Sequence, residues 1–362
     1  MAITKLVADS LGAGATPNQS AFKNIIINGD MSIAQRGTST ASITGDGYQT
    51  VDRFKTLISS AGTWTQSQST DVPTGQGFAK SLKMDCTTAD SSLSAADSVR
   101  FQQLFEGQNL QYLKKGTSSA ESLTLSFWVK SNKTGTYAIY LYDQDNARSI
   151  SKTYTISSAS TWEKKTITFA GDTTGAFDND NALSLQLNFV LAAGTNWTSG
   201  TLNTSWNSWT QANSAVGQVN LADSTANEWY VTGVQLEIGT SASDFEFLPY
   251  DVNLQRCQRY YYVHATGNQI LGIMWWYQDQ VNNTIMHFPV EMRTSPSASA
   301  PSGTNNYRVF HNGSVRYFSG FSGLQAGSPH ATTIDSGLTG SGSDCGRVET
   351  VGSGKMLFSA EL

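Results

Sequence analysis

Charge is scarce in this chain. Asp, Glu, Lys and Arg make up 14% of its 362 residues, against about 25% in an ordinary soluble domain. The formal net charge is −5, and the one compact basic pair is Lys114-Lys115. That pair is too small to neutralise a phosphate track, so nucleic acid is excluded as a partner. Cys86, Cys257 and Cys345 are odd in number and far apart. They supply neither a disulfide framework nor a metal-ligand spacing, and they read as buried free thiols. The longest apolar run, Ile270–Tyr277, falls far short of the ~20 residues that span a bilayer, so no membrane insertion is expected. The start, Met1–Val7, lacks the charged end and apolar core of a secretory signal; if the protein works outside a cell, it is expected to leave without a signal peptide.

Hydroxyls, amides and glycine stand where charge is missing. Hydrophobic residues still reach 39%, aromatics 11%, and there are 32 glycines, enough apolar material for cores and enough glycine for many turns. This composition suits β-structure, whose faces accept Thr and whose turns need Gly and Asn. Period-two alternation confirms the leaning. Ser122–Lys130 alternates, as does Thr136–Tyr142, with Tyr137, Ile139 and Leu141 on one face. Trp162–Phe169 and Ser184–Leu191 alternate again, and in Glu228–Ile238 the pattern puts Tyr230, Thr232, Val234, Leu236 and Ile238 together. Such half-buried strands at regular turn spacing predict an antiparallel sandwich or jelly roll. Ile25-Ile26-Ile27 before Asn28-Gly29-Asp30 reads as a buried strand closed by a turn. Ser98–Lys115 is ambiguous between a short helix and an irregular strand.

The expected organisation is all-β. Residues 1–23, rich in Gly, Ala, Ser and Asn, read as an extended N-terminal arm that orders against a partner, a floppy terminus being the competing reading. Residues 24–250 form a jelly-roll β-sandwich, 251–263 a linker, and 264–362 a smaller C-terminal β-sandwich. Pro249 ends the last strand of the first domain, and Leu254, Cys257 and Tyr261 recur at helical spacing inside the linker.

Several stretches resemble a known group. Asn24–Gly37 (Asn-Ile-Ile-Ile-Asn-Gly-Asp-Met-Ser-Ile-Ala-Gln-Arg-Gly), followed by Val51-Asp52-Arg53-Phe54, resembles the start of jelly-roll domains in tailed-phage fibre and appendage proteins. The Leu125–Lys130 strand is similar to one in the same family. So is Gly233–Tyr261, with Gly-Val-Gln-Leu-Glu-Ile-Gly, Phe-Glu-Phe-x-Pro-Tyr and Cys-Gln-Arg-Tyr-Tyr in order. Phe288–Pro296 and the closing Phe-Ser-Ala-Glu-Leu complete the set. The resemblance implies a virion protein with a jelly roll like that of carbohydrate-binding modules. It implies a homotrimer, attachment to other virion proteins through the arm, and a distal surface that meets host glycans. Tail, neck and capsid positions all remain open.

Three groups of residues are candidates for chemistry. Trp197, Trp206 and Trp209 crowd a loop rich in Asn, Ser and Thr. Their rings either stack on sugars or pack into a sandwich edge or subunit contact. Trp275-Trp276 on one strand point to opposite faces, which predicts that at least one lies away from the domain core, a candidate interface residue. Asp143, Asp145, Asp178 and Asp180 gather oxygen ligands in two turns, as Ca²⁺ requires. They lack the EF-hand Gly and closing Glu, and solvated turn residues are the competing reading. Jelly rolls of the resembling kind often hold structural calcium; no other cofactor is implied.

No catalytic residue can be named. A glycosidase needs two facing carboxylates, and Glu106, Glu121, Glu163, Glu228, Glu237 and Glu246 are scattered, with Glu237 expected on a strand surface. His264, His287, His311 and His330 show no metal-ligand spacing, and there is no nucleophile elbow. The expectation is a non-enzymatic virion fibre or appendage subunit, a tail fibre foremost. The alternatives are a polysaccharide depolymerase on a jelly-roll scaffold and an architectural decoration protein without ligand.

Overall fold

The computed structural model describes residues 22–362 apart from 278–280, 302, 312, 322, 326–327, 336–337 and 339–344. Residues 1–21 of the expected arm lie outside the described residues. The chain divides into two compact units, Met1–Pro249 and Tyr250–Leu362.

The first unit is a jelly-roll β-sandwich of two antiparallel sheets. One runs in the order β1 (Ser39–Ile43), β4 (Thr63–Ser69), β5 (Ser81–Thr88), β13 (Glu228–Ile238), β7 (Leu123–Ser131), β10 (Glu163–Phe169). The other runs β12 (Asn207–Ser208), β9 (Arg148–Ile156), β8 (Gly135–Asp143), β11 (Leu183–Ala193), β6 (Ser98–Glu106), β3 (Phe54–Ser59), β2 (Gly47–Tyr48). Ser98–Lys115, ambiguous in sequence, is thus strand β6 followed by two short 3₁₀ turns. Alternate residues of each strand meet between the sheets. Phe127 of β7 meets Phe189 of β11 edge-on at 5.2 Å, and Trp229 of β13 meets Phe101 of β6 at 5.9 Å. Each such ring, fully withdrawn from water, contributes roughly 1.5–3 kcal/mol.

Two local expectations change. In β13 the register shifts between Thr232 and Gln235, a bulge at Gly233, whose φ is +62°. A Cβ there would sit 2.5 Å from the Phe78 ring. The extra residue reverses the alternation, so Trp229 and Val231 join Val234 and Leu236 in the core, while Tyr230 turns to the other face. The Ile25–Ile27 segment is not a ladder strand. Ile25 N–H donates to Leu236 O at 2.9 Å, but beyond it Asn28 and Met31 take positive φ of 62° and 61°. The Asn28 amide stands in for the ladder, donating to Ile33 O (2.9 Å) and Asp52 O (3.0 Å) and accepting from Ile33 N (2.9 Å).

The second unit absorbs the expected linker. Residues 251–263 fold as most of a helix and the start of a strand within it, because Cys257 and Asn253 are buried on one helix face. With α1 assigned to Thr195–Thr198 in the first unit, this helix is α2 (Tyr250–Gln258). A three-stranded sheet runs β14 (Tyr261–Thr266), β23 (Lys355–Ser359), β17 (Ser297–Ser299). A seven-stranded sheet runs β19 (Ser314–Phe318), β18 (Tyr307–His311), β22 (Cys345–Thr350), β15 (Ile270–Tyr277), β16 (Val281–His287), β21 (Ala331–Asp335), β20 (Gly323–Gln325). Met356 and Phe358 of the first sheet share one core with Met274, Tyr307, Val309 and Val348 of the second, making a small sandwich.

Candidate functional site

The three loop tryptophans separate into two places. The segment after β11 leaves the sheet at Gly194, where a Cβ would fall 2.0 Å from Ser94 O, so the backbone passes too close for any other residue. It then folds back over the outer face of the seven-stranded sheet of the first unit. Ala215 N–H donates to Trp197 O at 3.0 Å and Trp209 N–H to Ala147 O at 2.8 Å. Trp197, 8% exposed, and half-buried Trp209 lie with ring centres 6.4 Å apart. Trp209 packs on Tyr140 at 5.5 Å and Tyr142 at 4.8 Å. Trp206 is elsewhere: its Nε1–H donates to Ala170 O at 2.8 Å, and its ring lies 5.6 Å from the Lys115 ammonium.

Polar groups line the sheet beneath Trp197. Tyr140 of β8 and Gln102 of β6 both register against Asn188 of β11. Arg100 rests its guanidinium 4.4 Å from the Trp197 ring centre and donates to Tyr140 Oη at 3.1 Å. Asn188 is fully buried, yet both ends of its amide, Trp197 Nε1 and Arg100 Nε have no hydrogen-bond partner among the described residues. Buried amides left so are rare, and an ordered water is the usual partner of such a group. Sequence reasoning missed Arg100, Tyr140, Tyr142 and Asn188 as a group. The available signal was the alternation that turns Tyr140, Tyr142 and Asn188 away from Ile139, Leu141 and Phe189.

The four aspartates do not converge on a metal. Asp143 is fully buried, accepting from the Lys115 ammonium at 2.5 Å and from Asn146 N at 3.1 Å. Asp145 Oδ2 accepts from Asp178 N at 3.0 Å, tying the two turns together, and Asp180 Oδ1 accepts from Ala182 N at 2.9 Å, closing its own. Among the described residues no three His, Cys, Asp or Glu side chains gather as a metal site. The cation facing Asp143 is Lys115 instead. Burial pushes the neighbouring Asp172 carboxyl up, but hydrogen bonds from Arg148 and Thr174 N and the Lys115 charge outweigh it and hold it below the usual range.

The six scattered glutamates are each engaged by the fold. Glu106 accepts from Gln108 Nε2 at 2.6 Å, Glu121 from Lys114 Nζ at 2.5 Å, and Glu163 from Ser157 N and Ser158 N at 2.9 Å. Glu246 accepts from Asn24 N at 2.9 Å. Glu237 is buried rather than on a strand surface, because Ser243 N–H at 2.8 Å and Gln235 Nε2 at 2.9 Å fold over it. Glu228 meets the Lys83 ammonium at 2.8 Å and Tyr230 Oη at 3.0 Å. Burial pushes its carboxyl up, and these two hydrogen bonds carry it below the ordinary value. A cavity of about 20 Å³ beside Lys115, Glu121, Asp172 and Trp206 has room for about one water, not for a sugar ring.

A second aromatic group, also unmarked by sequence reasoning, lies on the six-stranded sheet. Trp162 and Tyr230 lie 6.1 Å apart, with the Lys130 ammonium 4.2 Å from the Tyr230 ring centre. Trp162 Nε1–H donates to Asp71 at 2.9 Å, and Lys130 pairs with the same carboxylate. In the second unit, Trp275 is 38% exposed beside exposed Ile273; the Trp276 side chain lies outside the described residues.

No protein-family model matches the chain, and no curated protein sequence matches it. Solved structures similar to it include tailspike protein 4 of bacteriophage CBA120, in its enzymatically active domain. That match has 14% identity and a TM-score of 0.32 and covers 60% of this chain and 21% of the tailspike chain. The chain therefore spans about a fifth of that relative. A family 11 carbohydrate-binding module from Clostridium thermocellum, in complex with a β-1,3-1,4-mixed-linked tetrasaccharide, matches at 12% identity and TM-score 0.26, over 56% of this chain and 95% of the module. The CBM22-1–GH10 modules of Clostridium thermocellum xylanase 10B, complexed with xylohexaose, match at 12% and 0.26, over 57% and 30%. The sandwich itself is seen in the chain's own two sheets.

Proposed function

We propose that this chain is a non-enzymatic subunit of a tailed-phage fibre or appendage, a tail fibre foremost, whose jelly roll contacts host surface glycans. The observation that carries the reading is what becomes of the segments resembling that family. Asn24–Gly37, Val51–Phe54 and Gly233–Phe247 interlock. Asn24 bonds Val234 O and Leu236 N, Gly29 O accepts from Val234 N at 2.9 Å, and Asp52 accepts from Gln35 N at 3.0 Å. The residues that carry the resemblance are spent on holding the sandwich closed. A fold element of that kind supports a building role.

Two surfaces give this reading its contacts. Glycan contact belongs to the Trp209–Tyr142 patch, where two half-buried aromatic rings, the kind of surface sugar rings stack on, lie 4.8 Å apart on the outer face of the sheet. Self-association, as a homotrimer, belongs to the outer face of the seven-stranded sheet in the second unit. Ile273, 68% exposed, Ile285, 50%, and Trp275, 38%, lie on neighbouring strands there. Exposed apolar side chains gathered on adjacent strands are what such an interface would cover.

Gold-labelled antibodies raised against this chain test the reading on particles of the phage that encodes it. Label on an external appendage supports it; particles that stay unlabelled, with the protein free in the lysate, contradict it.

A further inference from the structure

We infer that the Lys115 ammonium is the resident structural cation of this jelly roll, and that removing it opens a calcium site. Four oxygens surround the Nζ: Asp143 Oδ2 at 2.5 Å, Gly175 O at 2.7 Å, Thr174 O at 3.0 Å and Asp172 Oδ2 at 3.2 Å. The Lys115 side chain is 5% exposed, that of Asp143 0% and that of Asp172 3%. Two carboxylates and two backbone carbonyls turned on one point are a hard-cation donor set. Buried carbonyls and carboxylates need a partner to repay their desolvation, and at this point the Lys115 ammonium is that partner.

The cage is fixed from behind. Arg148 holds Asp172 through Nε at 2.7 Å and Nη2 at 3.0 Å, and Asn146 Nδ2 holds Asp143 at 3.1 Å. Gly116 and Gly175 take positive φ of 82° and 71°. A Cβ on Gly116 would fall 2.6 Å from Ala176 N, and one on Gly175 2.3 Å from Asn146 Oδ1. The backbone is therefore committed to the oxygen arrangement independently of Lys115. A Ca²⁺ ion does not fit beside the ammonium, since both would claim the same four oxygens. The residues thus disagree with the structural calcium implied for jelly rolls of this kind, and the disagreement has a physical source: the cation is covalently tethered.

Thermal unfolding of the full chain in EDTA and in millimolar CaCl₂, for wild type, Lys115→Ala and Lys115→Met, tests this. The wild-type midpoint is expected to be the same in both solutions. Loss of the buried charge lowers both variants by about 10 °C in EDTA. Calcium restores Lys115→Ala, whose cage is empty, and not Lys115→Met, whose side chain still fills it. Tb³⁺ adds a direct signature: Trp206 lies close enough to sensitise its emission, which should saturate in Lys115→Ala and be absent in wild type. Two results overturn the inference: a wild-type midpoint that rises with calcium or saturable wild-type terbium emission, or a folded Lys115→Ala protein indifferent to both ions. The wild-type arm stands even if the alanine variant does not fold.

Discussion

The side-chain oxygen of Asn24 accepts the backbone N–H of Leu236 at 3.0 Å, a hydrogen bond across 212 residues. The same oxygen accepts from Ile26 N at 3.0 Å, and the amide nitrogen donates to Val234 O at 3.1 Å. One buried side chain thus tethers the chain's first described segment to the last strand of its jelly roll. Asn24→Ala leaves three buried backbone groups unpaired at about 1–3 kcal/mol each before relaxation or water entry. The expected loss is about 3 kcal/mol, read as a lower urea midpoint for the first unit; an unchanged midpoint would detach the motif from the fold.

Gly29 should tolerate even less. A Cβ there would fall 2.0 Å from Val234 O, a backbone atom, so Gly29→Ala has to part the segment from β13. The expected loss is at least as large as an overpacked core position, about 1–3 kcal/mol, with Gly45→Ala, which meets nothing within 4 Å, close to wild type in the same urea series.

How much of this was legible follows from where the sequence pattern is local. Tyr137, Ile139 and Leu141 announce a half-buried strand because alternation is a property of neighbouring residues. The Gly233 bulge defeats the same rule: the glycine is its one local mark, and the close approach of Phe78 that requires it comes from 155 residues away. The site was less readable. Three tryptophans within thirteen residues suggested one platform, but the backbone sends Trp206 to Lys115 and Trp197 to Arg100. Lys115 itself passed for a minor basic pair with Lys114. Its burial between Asp143 and Asp172 depends on segments 28 and 57 residues further along, which no local pattern reports.

Acid should weaken the first unit through carboxylates that the fold holds ionised. Burial raises Asp172, Glu228 and Asp71, but hydrogen bonds and cations lower all three overall. A carboxylate whose folded pKa lies below its unfolded value, about 4, contributes its full stability above that value. The contribution disappears as pH falls through the folded value. The unfolding midpoint should therefore be flat near neutrality and fall below pH about 4. Asp172→Asn should lower it at neutral pH and make the acid fall shallower.

The thiols give a readout for the second unit. Cys86 is buried, and burial first, then the Asp85 and Asp223 charges, push its thiol up to about 11. Cys257 is buried in α2, whereas Cys345 is exposed and faces Trp275 across the ladder. If that sheet face joins subunits, wild type sediments as a trimer and Cys345 reacts slowly with a disulfide reagent. Ile273→Asp should sediment as a monomer with unchanged circular dichroism and one rapidly reacting thiol. Sedimentation of wild type as a monomer at micromolar concentration would remove the assembly part of the account.

Binding without cleavage is the central claim, and one incubation tests it most directly. Purified protein is mixed with immobilised host capsule or lipopolysaccharide, and retained protein and released reducing ends are measured together. Retention that Trp209→Ala abolishes while the fold stays intact is expected, with no reducing ends at any time. Release of reducing ends, abolished by substituting a single Asp or Glu, would contradict it and make the chain a depolymerase.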